Sequence, residues 1–452
     1  MKPLLKRGLI AANAAVVAVA ATITSADAQT IIRDAEIEQT LSRLADPIFE
    51  AAGMDPDSIE VLIVADPSLN AFVFGGRNMV FNTGLLTRIA APEGLVGVIA
   101  HETGHITGGH LTRRQVNARA LRGPAALGLL LAAAAGAIAG NPGVGLAGAL
   151  ASQTALQRSF LAYSRSEESS ADQAGATYME ATGVDPAFIL DVLKLFRGQE
   201  VFQAGRIDPY AVTHPLSSER IGLLEDRVRS SNARGGRLSE EDHYWHLRMR
   251  AKLSAFLSRP ERTLNNLERE EQPVNEFNLM RKAVALHLLP DPPAALEAVD
   301  ALIAMRPEDP YYWELKGQIL FESGRGPEAV EPYRKAVSLA PNEPLIRGGL
   351  GRALLALNDP SSDAEALATL EQATRAGAAE PTVLRDLAVA YARKGDNGLA
   401  ALATAERFAI AGAAEDSYRH ATRALDQLPV GSPGWLRADD IRSVAEQALS
   451  DR

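Results

Sequence analysis

A period of 34 residues runs through the second half of the chain and constrains the fold more than any other feature. Ala295, Ala329, Ala366 and Ala400 are separated by 34, 37 and 34 residues, and both Gly317 to Gly351 and Pro307 to Pro341 repeat the 34. A period of this size marks a supersecondary unit that cannot bury its apolar face alone and does so by stacking on its neighbours. Four units follow, at 276–309, 310–343, 344–380 and 381–412, with weaker helices flanking them. The three-residue excess falls in the turn between Asn358 and Asp363, where an insertion costs little.

The unit PYYWELKGQILFESGRGPEAVEPYRKAVSLAP places Trp313, Gly317, Leu320, Ala329, Tyr333, Ala336 and Pro341 at tetratricopeptide positions. Small residues there let the two helices of a unit approach closely. The competing reading is an ordinary helical bundle. With 452 residues there is room for two or three domains, and the charged stretch SSNARGGRLSEED marks the boundary between them. We expect a first domain over 29–235 and a helical repeat domain over 240–452.

The N-terminus reads as a secretory signal. Lys2, Lys6 and Arg7 precede an uncharged apolar stretch to Thr24, and Ala26-Asp27-Ala28 predicts cleavage after residue 28. An uncleaved anchor is the alternative, and either version places the body of the protein outside the cytoplasm. Cysteine is absent, so any transition-metal site must use His, Asp and Glu. A net charge of −10 gives no sign of a nucleic-acid partner. Residues 123–157 carry no charge and split at Asn141-Pro142-Gly143, which predicts a short apolar hairpin that is buried, covers substrate or touches a membrane surface.

Residues 31–53 have the pattern of an amphipathic helix. The stretch 59–86 is the convincing β region, broken at Asp66-Pro67 and Gly75-Gly76, and predicts a small antiparallel sheet. Pro92 then opens a helix containing His101-Glu102-Thr103-Gly104-His105. Histidines four apart share a helix face and can grip one ion, while Glu102 is offset enough to reach a water on that ion without ligating it.

A catalytic zinc needs a third protein ligand and an open position. His110 is one candidate, although the metzincin pattern would put that histidine at 111, which is leucine. Glu168 is the other, with Asp172 one helical turn further on the same face, where it can orient a ligating imidazole. Taken by itself a Glu-x-x-x-Asp pair is a weak signal. His214, before Pro215, reads as a turn histidine at the start of a helix, and His243, His246, His287 and His420 have no metal spacing. The strand beginning at Asn70, Ala71 and Phe72 could hold an extended substrate by backbone pairing.

Together HETGH, SRSEESSAD, the Asn70-Ala71-Phe72 strand start and Thr213-His214-Pro215 with Arg220 resemble the HtpX and CAAX-endopeptidase family of zinc metallopeptidases, in its periplasmic, repeat-bearing form. The resemblance implies a mostly α fold, with a helical metallopeptidase domain around a small sheet followed by an α-solenoid of repeats. It implies one zinc ion, ligands His101, His105 and Glu168, base Glu102 and a supporting Asp172. It further implies that His214 can occupy the zinc as an inhibitory fourth ligand and that Arg220 stabilises the oxyanion once that loop moves. Ser169-Ser170 stands where the family often has charged residues, which bears on local ion pairing and not on ligation.

Two functions of different class fit. One is a periplasmic endopeptidase that cleaves misfolded or stalled exported proteins during outer-membrane protein assembly, with the repeats holding the assembly machinery. The other is a chaperone or scaffold acting mainly through the repeats, with proteolysis rare. A secreted degradative enzyme using His110 is a third.

Overall fold

The computed structural model describes residues 31–74, 78–110, 155–200, 214, 217–269 and 275–450. The expected signal peptide and nearly all of the apolar hairpin lie outside those residues. The described chain divides into two units. One comprises Ile31 and Ile32 with Leu44–Leu238, the other Arg33–Arg43 with Ser239 onward. Helix α1 (Ala35–Ala51) therefore contributes to both.

In the first unit, β1 (Ile31–Ile32), β2 (Glu60–Val64), β3 (Ala71–Phe74) and β4 (Asn78–Asn82) form one sheet in the order β1-β2-β4-β3. Alternation and β-branched residues make these strands, as the sequence predicts. The sheet is mixed, however, and not wholly antiparallel: β2 and β4 run parallel with Glu60 opposite Asn78, whereas β3 pairs antiparallel to β4 with Phe72 opposite Val80. The residues between β2 and β3 carry the chain past one strand position, so the β3-β4 hairpin folds back and β4 takes the central place. Leu85 and Leu86, which belong to the expected β region, sit in a short helix α2 (Thr83–Arg88).

Helix α3 (Pro92–Thr107) starts with proline at its first turn, where no amide donor is needed, and is buried along most of its length. Next come α4 (Ala155–Ala181), α5 (Ala187–Glu200) and α6 (Ser218–Ser230). Gly183 ends the α4 segment with φ of 77°, and Asp185 caps α5 by accepting from the Ala187 amide at 2.8 Å. Helix α3 packs on α4, α5 and β3. The helix after His214 begins at Ser218, later than Pro215, because the Ser217 hydroxyl accepts from the Arg220 amide and caps it there.

The second unit is a run of helix pairs: α7 (Glu240–Leu257) with α8 (Pro260–Arg269), α9 (Glu276–Leu288) with α10 (Pro292–Met305), and α11 (Pro310–Glu322) with α12 (Gly326–Leu339). It continues with α13 (Pro344–Ala356) and α14 (Pro360–Arg375), α15 (Pro381–Lys394) and α16 (Asn397–Ile410), then α17 (Ala414–Gln427) and α18 (Pro433–Ser450). Asp309-Pro310 and Asp359-Pro360 each join a capping carboxylate to a proline at the first helical position. The repeated small residues serve packing. Ala295, Ala329 and Ala366 are fully buried, and a Cβ on Gly317 would lie 2.7 Å from the Tyr333 ring.

Beneath the repeats lies a buried charge cluster. Arg248 donates from Nε to Glu36 at 2.6 Å, and its guanidinium also holds Asp309. Lys252 reaches Asp34 at 2.8 Å and Glu36 at 3.2 Å. These partners explain why Arg33–Arg43 belongs with the repeats. His287 pairs with Glu322 at 2.7 Å and His420 stacks on Phe408, while His246 is buried and held neutral, its pKa pushed down to about 3 by burial.

Candidate metal centre

The centre is built where α3 crosses α4. A Cβ on Gly104 would lie 2.7 Å from the Ala171 carbonyl oxygen, and one on Gly175 would lie 3.0 Å from the Ala100 backbone. Glycine at both positions lets the two backbones touch, and that contact brings Glu168 opposite the His101 and His105 rings. His101 and His105 point Nε2 at each other across 3.1 Å. Glu168 Oε2 is 3.3 Å from His101 Nε2, and its Oε1 is 3.2 Å from His105 Nε2.

His214 completes the group. Its Nδ1 lies 3.0 Å from Glu168 Oε2 and 3.3 Å from His101 Nε2, while its Nε2 is 3.4 Å from Glu102 Oε1. One ligand atom from each of His101, His105, Glu168 and His214 falls within 4.8 Å of the others, and all four residues are buried. Neither oxygen of the buried Glu102 and only one of Glu168 takes part in a hydrogen bond among the described residues. The four facing ligand atoms are close enough to hold one metal ion between them.

The surroundings orient the rings. Asp172 Oδ1 is 2.9 Å from His101 Nδ1 and also accepts from Arg220 Nη2 at 2.9 Å, with Arg220 Nε closing a bidentate pair on the other oxygen. Arg220 Nη1 is 3.0 Å from Glu168 Oε2. The guanidinium to which the family resemblance gives an oxyanion role thus faces two carboxylates in this arrangement. His110 sits behind His105, Nδ1 to Nδ1 at 2.9 Å, on the side away from Glu168.

Burial penalises every charge here, and partners decide which survive. Burial opposes ionisation of Glu168, but the charge of His214 and hydrogen bonds with the three imidazoles hold its pKa well below the carboxylate range. Burial raises the Asp172 carboxyl as well, and Arg220 overcomes it, so the net shift is downward. His101 is pulled down by burial but raised to about 9 by Asp172 and Glu168, the same field that draws in a divalent cation. His105 is pushed down to about 3 by burial and keeps its lone pair. The Glu102 carboxyl is raised by burial, partly offset by His214 and His101, in the direction a proton-accepting base needs.

Asn70, Ala71 and Phe72 begin β3, the last strand in the sheet order and one that packs against α3. Asn70 and Ala71 are buried, and the Asn70 carbonyl accepts from the Asn82 amide at 3.0 Å, which extends the hairpin pairing beyond the strand.

Residues 32–228, which hold every member of this cluster, match the peptidase family M48 model. The chain carries an M48 metallopeptidase domain. Residues 290–344 match a tetratricopeptide repeat model, so the M48 domain is followed by repeats of that class. The chain is homologous to the beta-barrel assembly-enhancing protease of Escherichia coli, with 23% identity over 419 residues that cover 90% of this chain and 83% of that protein. A putative protein of the same name from Vibrio cholerae is 28% identical over 205 residues, 44% of this chain and 41% of its own. The mitochondrial metalloendopeptidase OMA1 of Schizosaccharomyces pombe is 30% identical over 187 residues, 41% of this chain and 51% of that one.

Among sequence-predicted residues, the structure brings His101, His105, Glu168, His214, Glu102, Asp172 and Arg220 into one cluster. What sequence reasoning missed is the service of Gly104 and Gly175, and of His110 behind His105. Small residues four apart on both helices, Ala100 with Gly104 and Ala171 with Gly175, were the available signal for the crossing.

Proposed function

We propose that the chain is a periplasmic zinc metalloendopeptidase that hydrolyses peptide bonds of misfolded or stalled exported proteins during outer-membrane protein assembly. The observation that carries the reading is the convergence of two imidazoles and one carboxylate from crossing helices beside a buried Glu102, which His214 approaches at 3.4 Å. Zinc bound at about 2.0–2.1 Å by tetrahedral ligands sets its ligand atoms roughly 3.3–3.4 Å apart, and the separations of 3.1 to 3.3 Å among His101, His105 and Glu168 fit that ion.

His101, His105 and Glu168 are the zinc ligands in this reading, with Asp172 orienting His101. When bound, zinc supplies Lewis acidity toward water and the scissile carbonyl. Glu102 takes the proton of the attacking water and passes it to the leaving amine. Its buried carboxyl has the raised pKa suited to both transfers. Arg220 braces Asp172 and Glu168 in the resting arrangement and is released toward the developing oxyanion when the His214 loop moves. His214, 3.4 Å from Glu102 and 3.0 Å from Glu168, would join those residues in holding the ion and so keep the resting enzyme closed. Substrate adds as an extended strand along β3, whose packing on α3 directs it to the centre.

The repeats hold a protein partner, for which the assembly machinery of the outer membrane is the candidate suggested by the name of the Escherichia coli homologue. Export rests on the N-terminal sequence, and no described helix is long and apolar enough to cross a membrane. Contact of residues 123–157 with a membrane surface would add a second tether.

The closed resting arrangement also favours a second reading, in which the protein acts mainly as a chaperone or scaffold and cleaves rarely. Glu102→Gln separates the two. It should retain zinc yet lose casein cleavage by about 10²–10⁴-fold, and a scaffold would still complement a deletion strain. Full cleavage by this variant, with contaminating proteases excluded, would remove Glu102 from the mechanism.

A further inference from the structure

Helix α3 ends in a turn that returns a histidine beneath it. Gly108 closes the helix, and Gly109 takes the left-handed conformation at φ of 62° that a side chain rarely adopts. His110 then lies beside the last turn, fully enclosed. A Cβ on Gly108 would sit 2.4 Å from His110 Nε2, so residue 108 must lack a side chain for the ring to occupy this place. The result is an imidazole-to-imidazole contact of 2.9 Å between His110 Nδ1 and His105 Nδ1.

We propose that His110 is a positioning residue for the metal site, an inference that rests on the zinc reading above. In a neutral pair one imidazole nitrogen donates and the other accepts. If His105 offers the Nε2 lone pair to a cation, its proton is on Nδ1, so His105 donates and His110 Nδ1 accepts. His110 carries its own proton on Nε2. The contact therefore fixes both the tautomer and the ring angle of His105, as Asp172 does for His101.

The two ligands are held differently. His101 is backed by a carboxylate that is itself paired to Arg220, whereas His105 is backed by a second imidazole. An imidazole orients the ring without adding negative charge to a centre that already contains Glu102, Glu168 and Asp172. This assigns the pair Gly108 and Gly109 a role in building the site beyond ending the helix.

The test uses the full-length zinc-loaded protein with His110→Phe and His110→Asn. Phenylalanine keeps the ring shape and removes the acceptor. Asparagine loses the shape but offers Oδ1 near the place of Nδ1. Zinc retention against a graded chelator should fall about 10–100-fold in His110→Phe and recover largely in His110→Asn. A residue that only fills space would give the opposite order. Equal retention in His110→Phe and wild type, or no recovery in His110→Asn, with circular dichroism unchanged, overturns the inference.

Nitrogen-15 spectra of histidine-labelled wild type give an answer that does not depend on a variant folding. His110 Nδ1 should appear unprotonated and His105 Nδ1 protonated in the zinc-loaded protein, and the reverse assignment defeats the proposal. Failure of wild type to retain zinc would instead overturn the metal reading itself, and this inference with it.

Discussion

His101 Nδ1 lies 2.9 Å from the Asp172 carboxylate, which Arg220 grips from its other side. Asp172→Asn keeps the shape but removes the charge on which both neighbours depend. Zinc affinity should drop about 10–100-fold, and stability should fall because buried Arg220 loses its bidentate partner and keeps only Glu168 as a carboxylate neighbour. If Arg220 acts on His101 only through Asp172, adding Arg220→Gln should cost much less than its effect alone. Chelator competition and urea unfolding on the four proteins measure this. Fully additive losses, or an Arg220→Gln variant that keeps zinc and loses only turnover, would return Arg220 to a direct role at the oxyanion.

His214 stands beside both Glu102 and Glu168 in the resting arrangement. His214→Ala should raise resting cleavage of casein. A rise of about tenfold would correspond to a wild-type site that is open in roughly one molecule in ten. A folded, zinc-loaded variant with no gain in initial rate would defeat the inhibitory reading of this histidine.

Gly104→Ala alters no candidate ligand, yet its Cβ would meet the Ala171 backbone at 2.7 Å. Backbone cannot give way as a flexible side chain can, so α3 and α4 must separate, at a cost of about 1–3 kcal/mol. Zinc retention should weaken as Glu168 moves from the two imidazoles. Gly222→Ala is the control, since nothing lies within 4 Å of a Cβ there, and alanine should add about 0.5–1 kcal/mol to that helix. Matching thermal midpoints and zinc retention for the two variants would rule out the crossing as what sets the site.

Glu36 tests the repeat unit through pH. Burial opposes its charge, but Arg248 and Lys252 outweigh burial and hold its pKa below the ordinary value. With the folded pKa depressed, its stabilisation is complete above the unfolded value of about 4.3 and is lost as pH falls through the folded one. Glu36→Gln should therefore lower unfolding free energy by about 3–5 kcal/mol at neutral pH, and the gap to wild type should narrow in acid. Urea titrations at neutral and acidic pH decide it. An unchanged gap would mean the carboxylate charge contributes nothing.

Much of this was readable in the residues. The 34-residue period located the repeat helices because its marks, the recurring Ala, Gly and Pro positions, are local in sequence. His101, Glu102 and His105 were readable for the same reason, since one helical turn fixes their geometry. The mixed sheet was not, because alternation in β4 states which side chains face inward and not which strand lies alongside. The ion cluster of Glu36 and Arg248 was hidden because a charge in a sequence carries no sign of its burial. Nor could HETGH reveal why its fourth residue is glycine, which only the crossing helix explains.

Glu36 and Arg248 are 212 residues apart in the chain, and Asp34 stands 218 residues before Lys252. The domain boundary drawn near Leu238 is therefore not a place to cut. A fragment starting at Ser239 would keep two cations in its interior with Asp34 and Glu36 removed, while the complementary fragment would carry two orphaned acids on a dangling helix end. During synthesis those acids leave the ribosome long before their partners, so the repeat array reaches its final state by recapturing a segment made some two hundred residues earlier.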